Sequence, residues 1–302
     1  MTRRERQGRP VGPDPDPARR AGGDTREGKN MTTRQAGRDL DTSRAHSARM
    51  YDYFLGGKDH FEIDKQAALA AAEAHPGLYV TARENRAFMR RATRVLAQEH
   101  GIRQWLDIGT GIPTEPNLHQ IAQSVVPEAR VVYADNDPLV LKYAERLMRS
   151  TAQGRTAYVE ADAREPDALL GAVEEAGVLD FDRPVALTLN ALMHFVTAPH
   201  DPYDIVRRLL DRLAPGSALA MNHCTPDFDP DTWNRVAESY TNSGTPVEFR
   251  SHADVARFFD GLDLIDPGIT CCHRWRSDGL DPDGKEIPDA QISLLAGVGV
   301  KP

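Results

Sequence analysis

Along this 302-residue chain, carboxylates and an amide recur where short apolar runs end. Trp105-Leu106-Asp107-Ile108 leads into Gly109-Thr110-Gly111, Val131–Ala134 into Asp135, Tyr158–Ala161 into Asp162, and Val185–Leu189 into Asn190. A carboxylate accepts hydrogen bonds from hydroxyl and amino groups, and glycine lets the backbone approach a ligand with no Cβ in the way. Asp135 lies 24 positions beyond Gly111, about the spacing that sets an acid on a ribose in nucleotide-binding sheets. A dinucleotide site asks for a third glycine, and Thr114 stands there instead. The pattern predicts a grip on a nucleotide-like ligand, with any α/β nucleotide-binding sheet as the open alternative. For proton transfer the candidate base is His194, four positions past Asn190; the rival reading is a histidine packed beside Phe195. Cys271-Cys272-His273 resembles a metal cluster only superficially. Adjacent residues of a strand point to opposite faces, so no metal is expected there.

The elements that must position these groups follow from periodicity. Leu118, Ile121, Ala122 and Val125 keep helical spacing directly after the glycine turn, so the unit reads strand, turn, helix. Asp137 is a good N-cap with Pro138 at the first helical position, opening a helix over Leu139–Met148. Pro166 opens the next, and Ile205, Val206, Leu209, Leu210 and Leu213 stripe another before a strand over Ser217–Met221. Helices around Trp233–Tyr240 and Ser251–Phe259 follow, the second with a capping box of Ser251 and Asp254. Closing strands are expected at Leu262–Ile265 with Ile269–Cys272, and at Ile292–Val300. Five β-α alternations and a strand pair predict an α/β, doubly wound, seven-stranded sheet with an antiparallel last strand.

Ahead of the sheet, a short helix over Ala48–Leu55 closes at Gly56-Gly57. A second runs over Asp64–Ala74, and a third over Thr81–His100 stops at Gly101. The third carries Phe88, Ala92, Val95 and Leu96 on one side and Arg83, Arg86, Arg90 and Arg94 on the other. A solvated face is the expectation for those arginines, an anion site the rival.

The net charge is −8, and residues 1–30 carry eight Lys/Arg against five Asp/Glu, which leaves −11 on the remainder. A folded part this acidic is a poor match for phosphate backbones, so no nucleic acid is expected as partner. Three cysteines without an even framework point to a reduced, cytoplasmic protein, and no apolar run is long enough to span a membrane. Residues 1–42 read as a disordered basic tail, with Met31 an alternative start. Residues 43–101 read as a helical lid or substrate segment, and 102–302 as the ligand-binding core.

Three stretches carry a resemblance: Ser47–Asp59 with its Gly-Gly-Lys-Asp, Ala82–Phe88, and Leu106–Thr114 continued by Asp135–Pro138 and Met193–Phe195. They resemble bacterial S-adenosylmethionine-dependent methyltransferases formerly filed as a domain of unknown function. His60 and Gln120 depart from the family's usual Asn and Glu. The resemblance spans nearly everything from Ser43 to Val300 and implies a class I, Rossmann-like methyltransferase with S-adenosyl-L-methionine as cofactor. On that basis Gly109 and Gly111 pack against its methionine and ribose portion, and Asp107 holds the ammonium group. Asp135 accepts the ribose hydroxyls, Asp162 the adenine amino hydrogens, and the Ala163 amide donates to the ring. Thr110, Asn136 and Asn190 complete that set.

Asn190-Ala191-Leu192 is not the Asn/Asp-Pro-Pro-aromatic motif of amine methylation on DNA or glutamine, and there is no Pro-Cys dipeptide for covalent cytosine chemistry. The acceptor is therefore read as a small molecule, with the oligomeric state open. Tyr51–Phe61 is read as a flap that swings on its glycines. Tyr51 or Tyr53 would face the sulfonium and Lys58 a carboxylate, against the alternative of a helix packed on the sheet edge. Two other functions stay open: an NAD-dependent oxidoreductase on a similar sheet, and a non-catalytic module that binds the cofactor and regulates a partner.

Overall fold

The computed structural model describes residues 42–302 except residue 148. The expected tail and the question of Met31 lie outside the described residues. Three helices come first: α1 (Ser47–Phe54), α2 (Glu62–Ala74) and α3 (Leu78–Gln98). The alternating part follows as β1 (Gln104–Ile108), α4 (Leu118–Val125), β2 (Arg130–Asp135), α5 (Pro138–Leu147), β3 (Arg155–Glu160), α6 (Pro166–Ala176), β4 (Ala186–Leu189), α7 (Pro202–Asp211) and β5 (Ala218–Cys224). The chain closes with α8 (Pro230–Asn242), α9 (His252–Ala256), β6 (Asp263–Leu264), β7 (Thr270–Cys271), α10 (Asp289–Ile292) and β8 (Leu294–Val300).

The strands lie in the order β3-β2-β1-β4-β5-β8-β6, with β7 also on β8. The first five pair in parallel and β8 runs antiparallel to β5. Successive strand residues feed opposite layers. Trp105, Val131 and Ala186 join the core under α1–α4 and α8, whereas Leu106, Val132 and Leu187 join the one under α6 and α7. Both faces are covered, which is why β1 and β4 read as near-continuous apolar runs. Eight strands stand where seven were expected because the edge strand is broken. Both β6 and β7 pair with β8, and the Ile265–Gly268 turn between them, closed by the Gly268 amide on the Ile265 carbonyl at 2.8 Å, interrupts the ladder.

Local signals mostly hold. Asp137 Oδ1 accepts the Leu139 amide at 2.9 Å, and Ser251 accepts the Asp254 amide at the start of α9. Gly101, at φ +67°, ends the path out of α3 with the Ile102 amide on the Leu96 carbonyl. β5 outruns its expected end by three residues, through Asn222 and His223, because polar side chains there find buried partners. No described helix is long and apolar enough to cross a membrane.

Candidate active site

The parallel order reverses direction between β1 and β4, and at that switch the carboxyl ends of the strands open into a crevice. Helices α1 and α3 roof it, giving a cavity of about 310 Å³. Its walls include Asp107, Gly109, Thr110, Gly111, Asp135, Asn136, Asp162, Ala163, Asn190 and His194, ten of the twelve side chains or turns expected from sequence.

Asp107 is buried, and its Oδ1 accepts the Thr188 hydroxyl at 2.5 Å. Burial pushes its carboxyl up to about 6, against the opposing pull of that hydroxyl and of the Arg86 charge. Gly109 and Gly111 sit at φ +72° and +66°, so each needs a residue without a Cβ. At Gly109 a Cβ would lie 2.6 Å from the Leu192 side chain; at Gly111 it would meet nothing nearer than Ala48 Cβ at 3.8 Å. Asp135 takes the Gly111 amide on Oδ2 at 2.8 Å and the Asp137 amide on Oδ1 at 2.9 Å. One lone pair of each oxygen is thereby used and another remains for a ligand hydroxyl. Burial raises its pKa, partly offset by those two amides.

Asp162 is held otherwise. Burial lifts its carboxyl, but the Arg164 side chain and amide outweigh this and leave it below the usual range. The guanidinium reaches it through Nε at 2.9 Å and Nη2 at 2.5 Å, and Asn136 Nδ2 lies 3.4 Å away. A ligand amino group at Asp162 must share the carboxylate with Arg164.

His194 lies in a short 3₁₀ turn, Met193–Phe195, after β4. Its ring packs 4.4 Å from Phe195 and 5.4 Å from His223, centroid to centroid. Its Nδ1 is buried with no hydrogen-bond partner among the described residues. Burial above all, with His223 and the Arg250 guanidinium adding to it, keeps the imidazole neutral, well below its ordinary pKa. Arg250 is itself buried and bound to the Met193 and Val196 carbonyls and to His223 Nε2, each at 3.0 Å.

Two expected residues fall elsewhere. Tyr53 packs its ring against His60 and Tyr79, and Lys58 is exposed; neither lines the cavity. Helical residues two apart face different sides, so only one of Tyr51 and Tyr53 can point inward, and it is Tyr51. Its hydroxyl donates to the Ala82 carbonyl at 3.0 Å and accepts from Asn85 Nδ2 at 2.7 Å. The glycine pair is a closed turn. Gly56 has φ +78°, and a Cβ on Gly57 would lie 1.9 Å from Asp52 Oδ1, whose carboxylate also accepts the Asp59 amide at 2.9 Å. Close approach to Asp52 accounts for Gly57, and the left-handed backbone for Gly56.

Sequence reasoning passed over Asn85 and Asn222, and favoured a solvated face over an anion site for Arg86. Arg86, grouped with a solvated stripe, turns inward and binds the Thr114 and Pro116 carbonyls at 2.5 and 2.7 Å, while Arg83 and Arg94 are exposed as expected. Asn222 and Asn85 form a buried amide chain. Asn222 Nδ2 donates to Asn85 Oδ1 at 2.7 Å and to Asn190 Oδ1 at 3.2 Å, and its Oδ1 accepts the Ala191 amide at 2.7 Å. The available signal was an Asn inside an apolar strand, which a buried position tolerates only with partners.

The Cys271 region also differs from its reading. The strand ends at Cys271, and the turn that follows sends Cys272 into the core while Cys271 and His273 come together. There they meet Asp289, with candidate ligand atoms within 4.8 Å of one another. Two of the donors are already engaged, since Asp289 Oδ1 lies 2.7 Å from Arg274 Nε and His273 Nε2 lies 3.0 Å from the Ile287 carbonyl, whereas His273 Nδ1 is buried without a partner among the described residues.

A parallel five-stranded run, an antiparallel β8 inserted at its edge and acids at three strand ends define a class I methyltransferase fold. The chain belongs to the S-adenosyl methyltransferase family, whose family model matches residues 33–302. It is therefore an S-adenosylmethionine-dependent methyltransferase, and the nicotinamide and non-catalytic alternatives are set aside. A crystal structure of a DUF574 family protein from Streptomyces avermitilis is 51% identical, with TM-score 0.83, covering 87% of this chain and 100% of that one. A provisionally described methyltransferase from Thermobifida fusca is 37% identical, with TM-score 0.78 over 87% of this chain and 97% of its own. At 10% identity and TM-score 0.50, the plantazolicin methyltransferase in complex with a triazolic desmethylPZN analogue and S-adenosylhomocysteine shares the fold, over 84% of this chain and 95% of that one. No curated protein matches the chain.

Proposed function

We propose that the protein methylates a small-molecule acceptor in the cytoplasm. The observation that carries this is the roofed cavity: one end holds the strand-end acids and the other is walled by aromatic side chains from α1, α8 and the turn after β4. A space of about 310 Å³ under two helices suits a cofactor and a compact acceptor. We take residues 43–101 as the segment that covers this site and 102–302 as the core that holds the cofactor.

When bound, S-adenosyl-L-methionine supplies an electrophilic methyl group on a sulfonium. Asp135 has free lone pairs for the two ribose hydroxyls, and the backbone at Gly109, Thr110 and Gly111 lies open beside it. Asp107 faces the ammonium group. Arg86, whose charge acts on Asp107, suits the neighbouring carboxylate in place of Lys58. Asp162 and the Ala163 amide flank the adenine, with Asn136 at its edge, and Asn190 stands at the junction with the acceptor end. Catalysis then rests largely on holding the acceptor atom in line and near the methyl group. Titration calorimetry with S-adenosylhomocysteine on the full chain tests the cofactor half, with one-to-one binding expected. Untargeted mass spectrometry of bacterial metabolites incubated with enzyme and cofactor tests the other. A 14-Da gain confined to peptides or nucleic acids would overturn the small-molecule reading.

A further inference from the structure

The acceptor end of the cavity differs from the cofactor end in one decisive respect: its charge. Tyr51 and Phe54 from α1, Leu78 from α3, Phe195 after β4, Cys224 at the end of β5 and Tyr240 from α8 wall it. Phe195 and Tyr240 stand 5.9 Å apart between ring centroids. Among the described lining residues, every acid (Asp107, Asp135, Asp162) belongs to the ends of β1 to β3. The cations are engaged as well. Arg86 lies by Asp107 at the cofactor end, where the reading above gives it the cofactor carboxylate, and Arg164 is paired with Asp162.

A carboxylate acceptor entering this end finds no free cation, and an ammonium acceptor finds no carboxylate. Either would lose its hydration without a counter-charge, which is costly. The polar groups within reach are mostly satisfied by one another, since the Tyr51 hydroxyl, Asn85 and Asn222 complete a closed chain. His194 is the exception at this end; Asn117, whose Nδ2 is also unpartnered, lines the cavity at the start of α4, after β1. The Nδ1 of His194 is buried and unpartnered, and a buried polar atom left in that state costs stability unless a ligand satisfies it.

We propose, building on the methyl-transfer reading above, that the acceptor is an uncharged aromatic compound of the phenol class, seated among Tyr51, Phe54, Phe195 and Tyr240 with its hydroxyl against His194. Aromatic walls from several elements suit a planar ring system, which stacks at offset or edge-on angles. In the transfer the hydroxyl oxygen forms a bond to the methyl carbon as the carbon–sulfur bond breaks, and sulfur keeps the electron pair. The hydroxyl proton passes to the imidazole. An oxygen that is gaining a methyl group becomes strongly acidic, so even a weakly basic, neutral histidine suffices to take it.

Three matched probes separate the possibilities: 2-naphthol, 2-naphthoate and 2-(aminomethyl)naphthalene, titrated by calorimetry at neutral pH into the full chain with and without saturating S-adenosylhomocysteine. Naphthol is expected to bind at least about tenfold more tightly than either charged probe, since burying an unpaired charge outweighs equal ring contact. His194→Phe keeps the ring packing and removes the nitrogens, and is expected to weaken naphthol by about tenfold. S-adenosylhomocysteine affinity of that variant serves as the folding control. Equal or tighter binding of a charged probe, no binding of any probe, or undiminished naphthol binding by His194→Phe overturns the assignment. Failure of S-adenosylhomocysteine itself to bind instead strikes the cofactor arrangement, and the probe ranking in its absence still decides the acceptor class.

Discussion

The two ends of the cavity are built by different rules. At the ends of β1, β2 and β3 the contacts are backbone amides, positive-φ glycines and carboxylates, all set by residues within a few positions of a strand terminus. At the ends of β4 and β5 the walls come from residues as far apart in sequence as Tyr51 and Tyr240, and the polar groups are tied into each other. The first end can be specified by a short motif because parallel strands deliver their termini to one edge. The second depends on how separate helices pack over that edge, so no single motif specifies its chemistry.

The sharpest way to break this comparison is Asp135→Ala. It removes the ribose acceptor and also strands the Gly111 amide, so cofactor affinity is expected to fall by about 1–3 kcal/mol. Naphthol affinity without cofactor should stay put, since Asp135 belongs to the other end. Calorimetry on both ligands checks it, and a parallel loss of the two would mean that the ends are one site.

Next in size is the pH response of Asp107. Its folded pKa of about 6 lies above the unfolded value, so the native state binds the extra proton between roughly pH 4 and 6. Stability from this group is therefore fully present below the unfolded pKa and declines as pH rises through that window. Cofactor binding runs the opposite way. An ammonium group prefers the carboxylate, so S-adenosylhomocysteine affinity should drop by up to about tenfold per pH unit below 6. Asp107→Asn should lose that slope, and titrations at pH 5 to 7.5 read it directly.

Asn222→Ala probes the join between the ends. Its amide positions Asn190, the Ala191 amide and Asn85 at once, so the variant is expected to lose about 1–2 kcal/mol of stability. Methyl transfer should fall further than the affinity for S-adenosylhomocysteine, as the turn bearing His194 loosens. Thermal melts alongside kcat and cofactor titration distinguish this from a purely structural loss, in which all three fall together.

The smallest effect is expected at Lys58 and Tyr53. Lys58→Ala and Tyr53→Phe should leave cofactor affinity within about 0.5 kcal/mol, as for surface positions generally. A larger loss would return Lys58 to the carboxylate role proposed above for Arg86.

Most of the residues that line the strand-end side of the cavity were legible in the linear chain because their information is local. An apolar run, an acid at its end and a glycine turn are neighbours in sequence, and a strand buried on both faces reveals itself by its unbroken hydrophobicity. The same locality explains the correct capping at Asp137 and Ser251. What the sequence could not decide is which side of a helix faces which void. Tyr51 over Tyr53 and Arg86 over its stripe mates were settled by the rotation of α1 and α3 against the sheet. That rotation is set by long-range packing and by buried pairs such as Arg49 with Asp137, 88 positions apart and 3.2 Å across. The gathering of Cys271, His273 and Asp289, the splitting of the edge strand, and the neutrality of His194 beside Arg250 belong to the same class. Residue identity determines what each side chain can donate, accept or exclude; only the folded packing determines which of those capacities meet.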